Sequence, residues 1–183
     1  YEGERRTGFV GMPLPDVSIR LANETNGEVH GEPGEIQVKG ENVFLEYWNK
    51  PQATTASFTK DGWFKTGDIA TSEDGYYRIM GRNSVDIIKS GGYKISALEI
   101  EEILRTHPAV KDCAVVGIDD EEWGEIVAAA IVMSPGHLDT DRLFSWLKEQ
   151  LPSYRVPRKF CVVTELPRNA MGKVTKNEVK KWF

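Results

Sequence analysis

No stretch of this sequence approaches the ~20 consecutive apolar residues that a membrane-crossing helix needs, and residues 1–20 carry no secretory-signal pattern. No membrane span is expected. Cysteine is scarce: Cys113 and Cys161 stand alone in the apolar runs "CAVVGI" and "CVVTEL". That placement favours two reduced core thiols over a disulfide or a reactive thiol. His30, His107 and His137 are scattered without metal-ligand spacing, so they are assigned no chemistry. No internal repeat is visible. The first residue is Tyr1 rather than Met, and the expectation is a piece of a longer chain.

What is present describes a folded globular protein. Of 183 residues, 40% are hydrophobic and 10% aromatic, enough for a real core in one large domain or two small ones. The net charge of −5 conceals an asymmetry. Leu151–Phe183 holds eight Lys/Arg against two Asp/Glu, leaving 15 against 26 in the residues before it. A basic tail on an acidic body suits an anionic ligand, or equally a solvated terminal helix. Nucleic acid is not expected, because the cluster lacks interleaved aromatics and any recognition motif.

Residues 1 to about 81 read as short strands with glycine-rich turns: "VSIRL" (17–21), "GEIQVKG" (34–40) and "GYYRIMG" (75–81). Pro51 opens a short helix through Ala53–Phe58, and Asp61-Gly62 marks a turn. After Gly81 the pattern changes. Ser96 and Glu99 form a capping box for an amphipathic helix with Leu98, Ile100, Ile103 and Leu104 as its stripe, ended by Pro108. Strands follow over 113–118 and 126–133, then a helix from about Thr140 with Leu143, Phe144, Trp146 and Leu147 inward. A strand over 160–166 leads to a last short helix that Thr175 and Glu178 are expected to cap. The C-terminal hundred residues thus read as a small α+β domain of two or three strands and three helices, behind a strand-rich one. The junction falls near Gly81-Arg82.

Four local signals could carry chemistry. Asp68 follows Thr66-Gly67 in a turn between strands, where a carboxylate either accepts from vicinal hydroxyls such as a ribose diol or merely stabilises its turn. Arg82 sits beside Gly81, and the paired Gly91-Gly92 either let a slender ligand pass or form a plain loop. Trp123 lies in the acidic loop "DDEEWGE", exposed to a ligand or covering a core edge. Lys173 follows Gly172 and precedes the last helix, a mobile cation with a flexible backbone before it and a rigid element behind.

Singly these are weak, but their order is specific. "GEIQVKGENVFLEYWNKPQAT" (34–54), "DGWFKTGDIA" (61–70), "GRNSVDIIKSGGYKISALEIEEIL" (81–104), "LPSYRVP" (151–157) and "LPRNAMGKV" (166–174) resemble the adenylate-forming superfamily of acyl-CoA synthetases, peptide-synthetase adenylation domains and beetle luciferases. The resemblance implies an α+β chain: residues 1–81 as the strand-rich end of a large N-terminal domain, a hinge region over 82–86, and a small mixed C-terminal lid over 87–183. It implies ATP, CoA and a small carboxylic acid as partners, with Mg2+ bound by upstream residues. Asp68 would hold the ATP ribose, with Arg82 assisting. Lys173 would neutralise charge as the acyl-adenylate forms, then leave as the lid turns. Gly91, Gly92 and Trp123 would line the pantetheine channel.

Two departures from the family pattern stand out. Ser84 occupies the usual hinge position, so the hinge is assigned broadly to Asn83–Asp86. Val156 replaces an arginine seen in some CoA ligases, leaving Arg155, Arg158 or Lys159 for the CoA phosphates. The family's phosphate loop and acid pocket are not in this sequence, which reads as the last third of an enzyme, inactive alone, with oligomerisation left to the missing part. The wording is nearest to malonyl-CoA synthetases, with medium- or long-chain fatty acyl-CoA ligases as the alternative and a cytoplasmic or mitochondrial-matrix setting. A non-catalytic stand-alone lid and a peptide-synthetase adenylation domain are the further readings.

Overall fold

The computed structural model describes residues 4–134 and 140–183, so His137 lies outside it. The chain divides into two units, Tyr1–Asn83 and Ser84–Phe183.

The first unit is a four-stranded antiparallel sheet in the order β1-β2-β3-β4: Ser18–Ala22, Gly34–Lys39, Phe64–Glu73 and Tyr76–Arg82. Its core is small, with Leu21, Ala22, Ile69, Ala70 and Met80 buried. Gln37 is fully buried too, which its hydrogen bonds explain: it accepts from Arg20 Nε at 2.8 Å and donates to Asn26 Oδ1 at 2.8 Å. Helix α1, Pro51–Ser57, starts with proline, whose missing N–H costs nothing in a first turn. Strand β3 corrects the expected turn at Asp68. Gly67 has φ +77°, a local twist that breaks the apolar alternation while the strand continues through it.

The second unit is an α+β layer structure around a five-stranded sheet. Strands β5 (Ile87–Ser90), β6 (Tyr93–Ser96), β7 (Val110–Asp120) and β8 (Gly124–Met133) follow the order β6-β5-β8-β7, and β9 (Lys159–Val163) pairs parallel with β8. Five strands replace the two or three expected. The additional pair, β5 and β6, is a hairpin around Gly91-Gly92, whose positive φ values of +55° and +84° make the turn. The loop expected there is therefore a hairpin tip.

Period-2 alternation explains the long apolar runs of β7 and β8. Cys113, Val115, Val127, Ala129 and Ile131 join Ile100 and Leu104 of α2 (Ala97–Thr106) and Leu143 and Leu147 of α3 (Thr140–Gln150) on one face. Ala114, Val116, Ala128, Ala130 and Val132 meet Leu166 and Val179 on the other, Val179 belonging to α4 (Lys176–Lys180). With both faces covered, each strand reads as continuously apolar.

Ser96 caps α2, its Oγ accepting from Glu99 N at 3.2 Å. The Glu99 carboxylate also pairs with Arg155 at 2.9 Å. The second expected capping box does not form. Thr175 makes no side-chain cap bond, and Glu178 pairs forward with Lys181 at 2.7 Å.

Candidate functional site

In the first unit, Asp68 and Arg82 stand opposite each other in the β3–β4 register. Arg82 Nε lies 2.9 Å from Asp68 Oδ1, and its Nη1 donates to the Thr66 carbonyl at 3.3 Å. Thr66 Oγ1 accepts from Asp68 N at 3.1 Å, and Glu35 Oε1 accepts from Gly67 N at 3.0 Å. These bonds aim a carboxylate of fixed orientation from an irregular strand. Its side chain is 30% exposed, leaving acceptor capacity for a hydroxylated ligand.

In the second unit, Gly91, Trp123 and Arg158 form one layered contact. The Gly91 N–H donates to the Trp123 carbonyl at 2.9 Å, and a Cβ on Gly91 would meet the Trp123 ring at 2.8 Å. Arg158 stacks on that ring, with Cζ 4.2 Å from its centroid. Trp123 is half-buried rather than exposed, held in its turn by its N–H to Asp120 Oδ1 at 2.9 Å. Gly92 faces open space, and Lys159 opens β9 with its side chain exposed. Arg155 is committed to Glu99 at 2.9 Å. Tyr93 and Tyr154, which sequence reasoning passed over, stack at 4.5 Å with 20° between planes.

Lys173 occupies a tight loop closed by an Arg168–Val174 bridge. Asn169 Oδ1 accepts from Met171 N and Lys173 N, both at 3.0 Å, and Asn169 N donates to the Lys173 carbonyl at 2.9 Å. Gly172 supplies φ +78°. Arg168 donates to the Gly172 carbonyl at 2.6 Å and pairs with Asp112 of β7 at 2.5 Å. The Lys173 side chain is exposed, and its ammonium forms no ion pair among the described residues. A backbone this constrained presents a free cation at a fixed root.

The sequence also gave no notice of Lys176, Asp86 and Glu101, which meet in a buried cluster. One signal existed: Glu101 falls on the same helical face as Ala97, Ile100 and Leu104, so an acid interrupts an apolar stripe.

Comparison with known proteins defines the class. Residues 99–173 match the AMP-binding enzyme C-terminal domain. Over 98% of its length the chain is 47% identical to a malonate–CoA ligase of Arabidopsis thaliana, covering 31% of that protein. It is 45% identical over 96% of its length to the mitochondrial malonate–CoA ligase ACSF3 of Bos taurus, covering 34% of it. The ATP-bound crystal structure of MatB from Rhodopseudomonas palustris superposes on the whole chain with a TM-score of 0.88 at 38% identity, the chain spanning 37% of it. This chain belongs to the adenylate-forming superfamily, as a C-terminal portion. It spans about a third of the length of the curated relatives it matches.

Proposed function

We propose that the whole protein is an AMP-forming acid–CoA ligase that activates a carboxylic acid with ATP and passes the acyl group to CoA, with malonate as the acid. The observation that carries the reading is the exposed Lys173 ammonium, without an ion pair among the described residues, on a loop fixed by Asn169 and Arg168. A positioned cation of this kind stabilises charge that develops on a phosphate and an attacking carboxylate. Lys173 does so in the first step and withdraws before the thiol attacks. Malonate rests on the ligases named above, which match nearly all of this chain.

In this reading the Asp68 carboxylate accepts from the ribose hydroxyls of ATP, and Arg82 holds that carboxylate in place. Residues Asn83–Asp86 serve as the hinge. Gly91, Gly92 and Trp123 border the pantetheine path, while Arg158 and Lys159 meet CoA phosphates. Arg155, already paired with Glu99, contributes chiefly to the scaffold. Among the described residues no group of three or more His, Cys, Asp and Glu could hold a metal ion, and Mg2+ is assigned to no residue of this chain.

Turnover of the full-length enzyme on malonate, methylmalonate, acetate and octanoate tests the substrate. Malonate is expected to give the highest kcat/KM, and absence of turnover with both dicarboxylates would end the malonate assignment.

A further inference from the structure

Lys176 is the first residue of α4, and its side chain is only 9% exposed. Its Nζ lies 2.6 Å from Asp86 Oδ1 and 2.8 Å from Glu101 Oε1. Both acids are buried. Glu101 is fixed further, accepting from Val115 N on β7 at 2.8 Å and from Arg105 Nη2 at 3.1 Å. Asp86 directly precedes β5, near the start of the second unit, and its carbonyl accepts from the N–H of Ala97, the first residue of α2, at 2.8 Å. One ammonium therefore joins the opening segment of the unit, helix α2 and the base of the Lys173 loop.

We infer that Lys176 is the positioning residue for Lys173, fixing its loop to the segment at which the second unit begins. The inference rests on the proposed role of Lys173 in adenylation. Lysine has a flexible stem, so its ammonium can be placed accurately only if its own backbone is held. Above Lys176 the loop is tied by partly exposed bonds, those of Arg168 and Asn169. Below it, a buried charge between two buried carboxylates tolerates little displacement, since moving it would strand unpaired charge in the interior. Any rotation beginning near Asn83–Asp86 would then carry Asp86, Lys176 and Lys173 as one body. The competing role is simple charge compensation for Asp86 and Glu101, without influence on Lys173.

The test uses the full-length enzyme with Asp86→Asn, Lys176→Gln and Lys176→Arg. Three quantities are measured: ATP–pyrophosphate exchange, thioester formation from supplied acyl-adenylate, and amide hydrogen exchange. Asp86→Asn keeps the Lys176–Glu101 pair, so it remains informative if Lys176→Gln fails to fold. Asp86→Asn and Lys176→Gln are expected to slow adenylation about tenfold or more, as misplacement of a reacting group does. In Lys176→Gln the thioester step should stay within about twofold, since positioning enters only the first step. Amides of residues 169–174 should exchange faster while those of α2 and β7 do not, and Lys176→Arg should recover most of the adenylation rate. Unchanged adenylation, equal loss of both steps in Lys176→Gln, or unaltered exchange in the loop overturns the inference. If the unsubstituted enzyme shows no pyrophosphate exchange with any acid, the ligase reading fails instead, and the amide-exchange comparison still decides whether Lys176 holds the loop.

Discussion

The Asp68 carboxylate sits 2.9 Å from Arg82 Nε across the β3–β4 ladder, so an acidic acceptor and its orienting cation are built into neighbouring strands. Both side chains are substantially solvated, and such a pair adds little to stability. Its value lies in orientation. Asp68→Asn in the full-length enzyme should weaken ATP binding by roughly tenfold to a hundredfold, the ~1.5–3 kcal/mol range of hydrogen bonds to charged groups. Calorimetric titration with ATP and 2′-deoxy-ATP checks this. The deoxy analogue should bind the original enzyme more weakly, whereas the variant should barely distinguish the two. Equal discrimination in both would remove Asp68 from the ribose.

Gly91→Ala should destabilise the second unit by about 1–3 kcal/mol, combining the cost of a positive φ with overpacking. The new methyl would press on the Trp123 ring at 2.8 Å, beneath Arg158. Gly92→Ala should cost less, because φ is +84° but the space is open. Urea unfolding followed by tryptophan fluorescence ranks the two, and the reverse order would contradict the packing described.

Burial pushes the Cys113 thiol up to about 12 from an ordinary 9.0, and burial raises Cys161 as well. The unfolded chain ionises near 9.0, while folded Cys113 keeps its proton to about 12. Its contribution to stability is therefore complete below 9.0 and is lost as pH rises from there toward about 12. At pH 8 a disulfide reagent should modify half-buried Cys161 slowly and Cys113 only on unfolding. Prompt modification of both in the native protein would contradict the buried placement.

Local periodicity made much of the fold legible. The alternation of β7 and β8 and the Ser96 cap were readable because each depends on near neighbours. Strand β3 was not, since Thr66-Gly67 carries a turn signature and the strand absorbs it through one left-handed glycine. Gly91-Gly92 likewise outweighed the short flanking strands of their hairpin. Thr175 has a capping sequence, yet Glu178 finds Lys181 instead. Within the candidate site, Asp68, Arg82, Trp123 and Lys173 could be named singly. The Asp68–Arg82 pairing, the Trp123–Arg158 stack and the Lys176 cluster depend on segments distant in sequence, which no local pattern encodes.

Lys173→Ala in the full-length enzyme is the most direct measurement. With the loop's bonds made by Asn169 and Arg168, removal of the Lys173 side chain should leave its backbone intact. Pyrophosphate exchange is expected to fall by about two to three orders of magnitude, the usual loss when a transition-state charge contact is deleted. Release of thioester from supplied acyl-adenylate and CoA should persist near its original rate. Equal loss of the two steps, or no loss of the first, would contradict the role given to this ammonium.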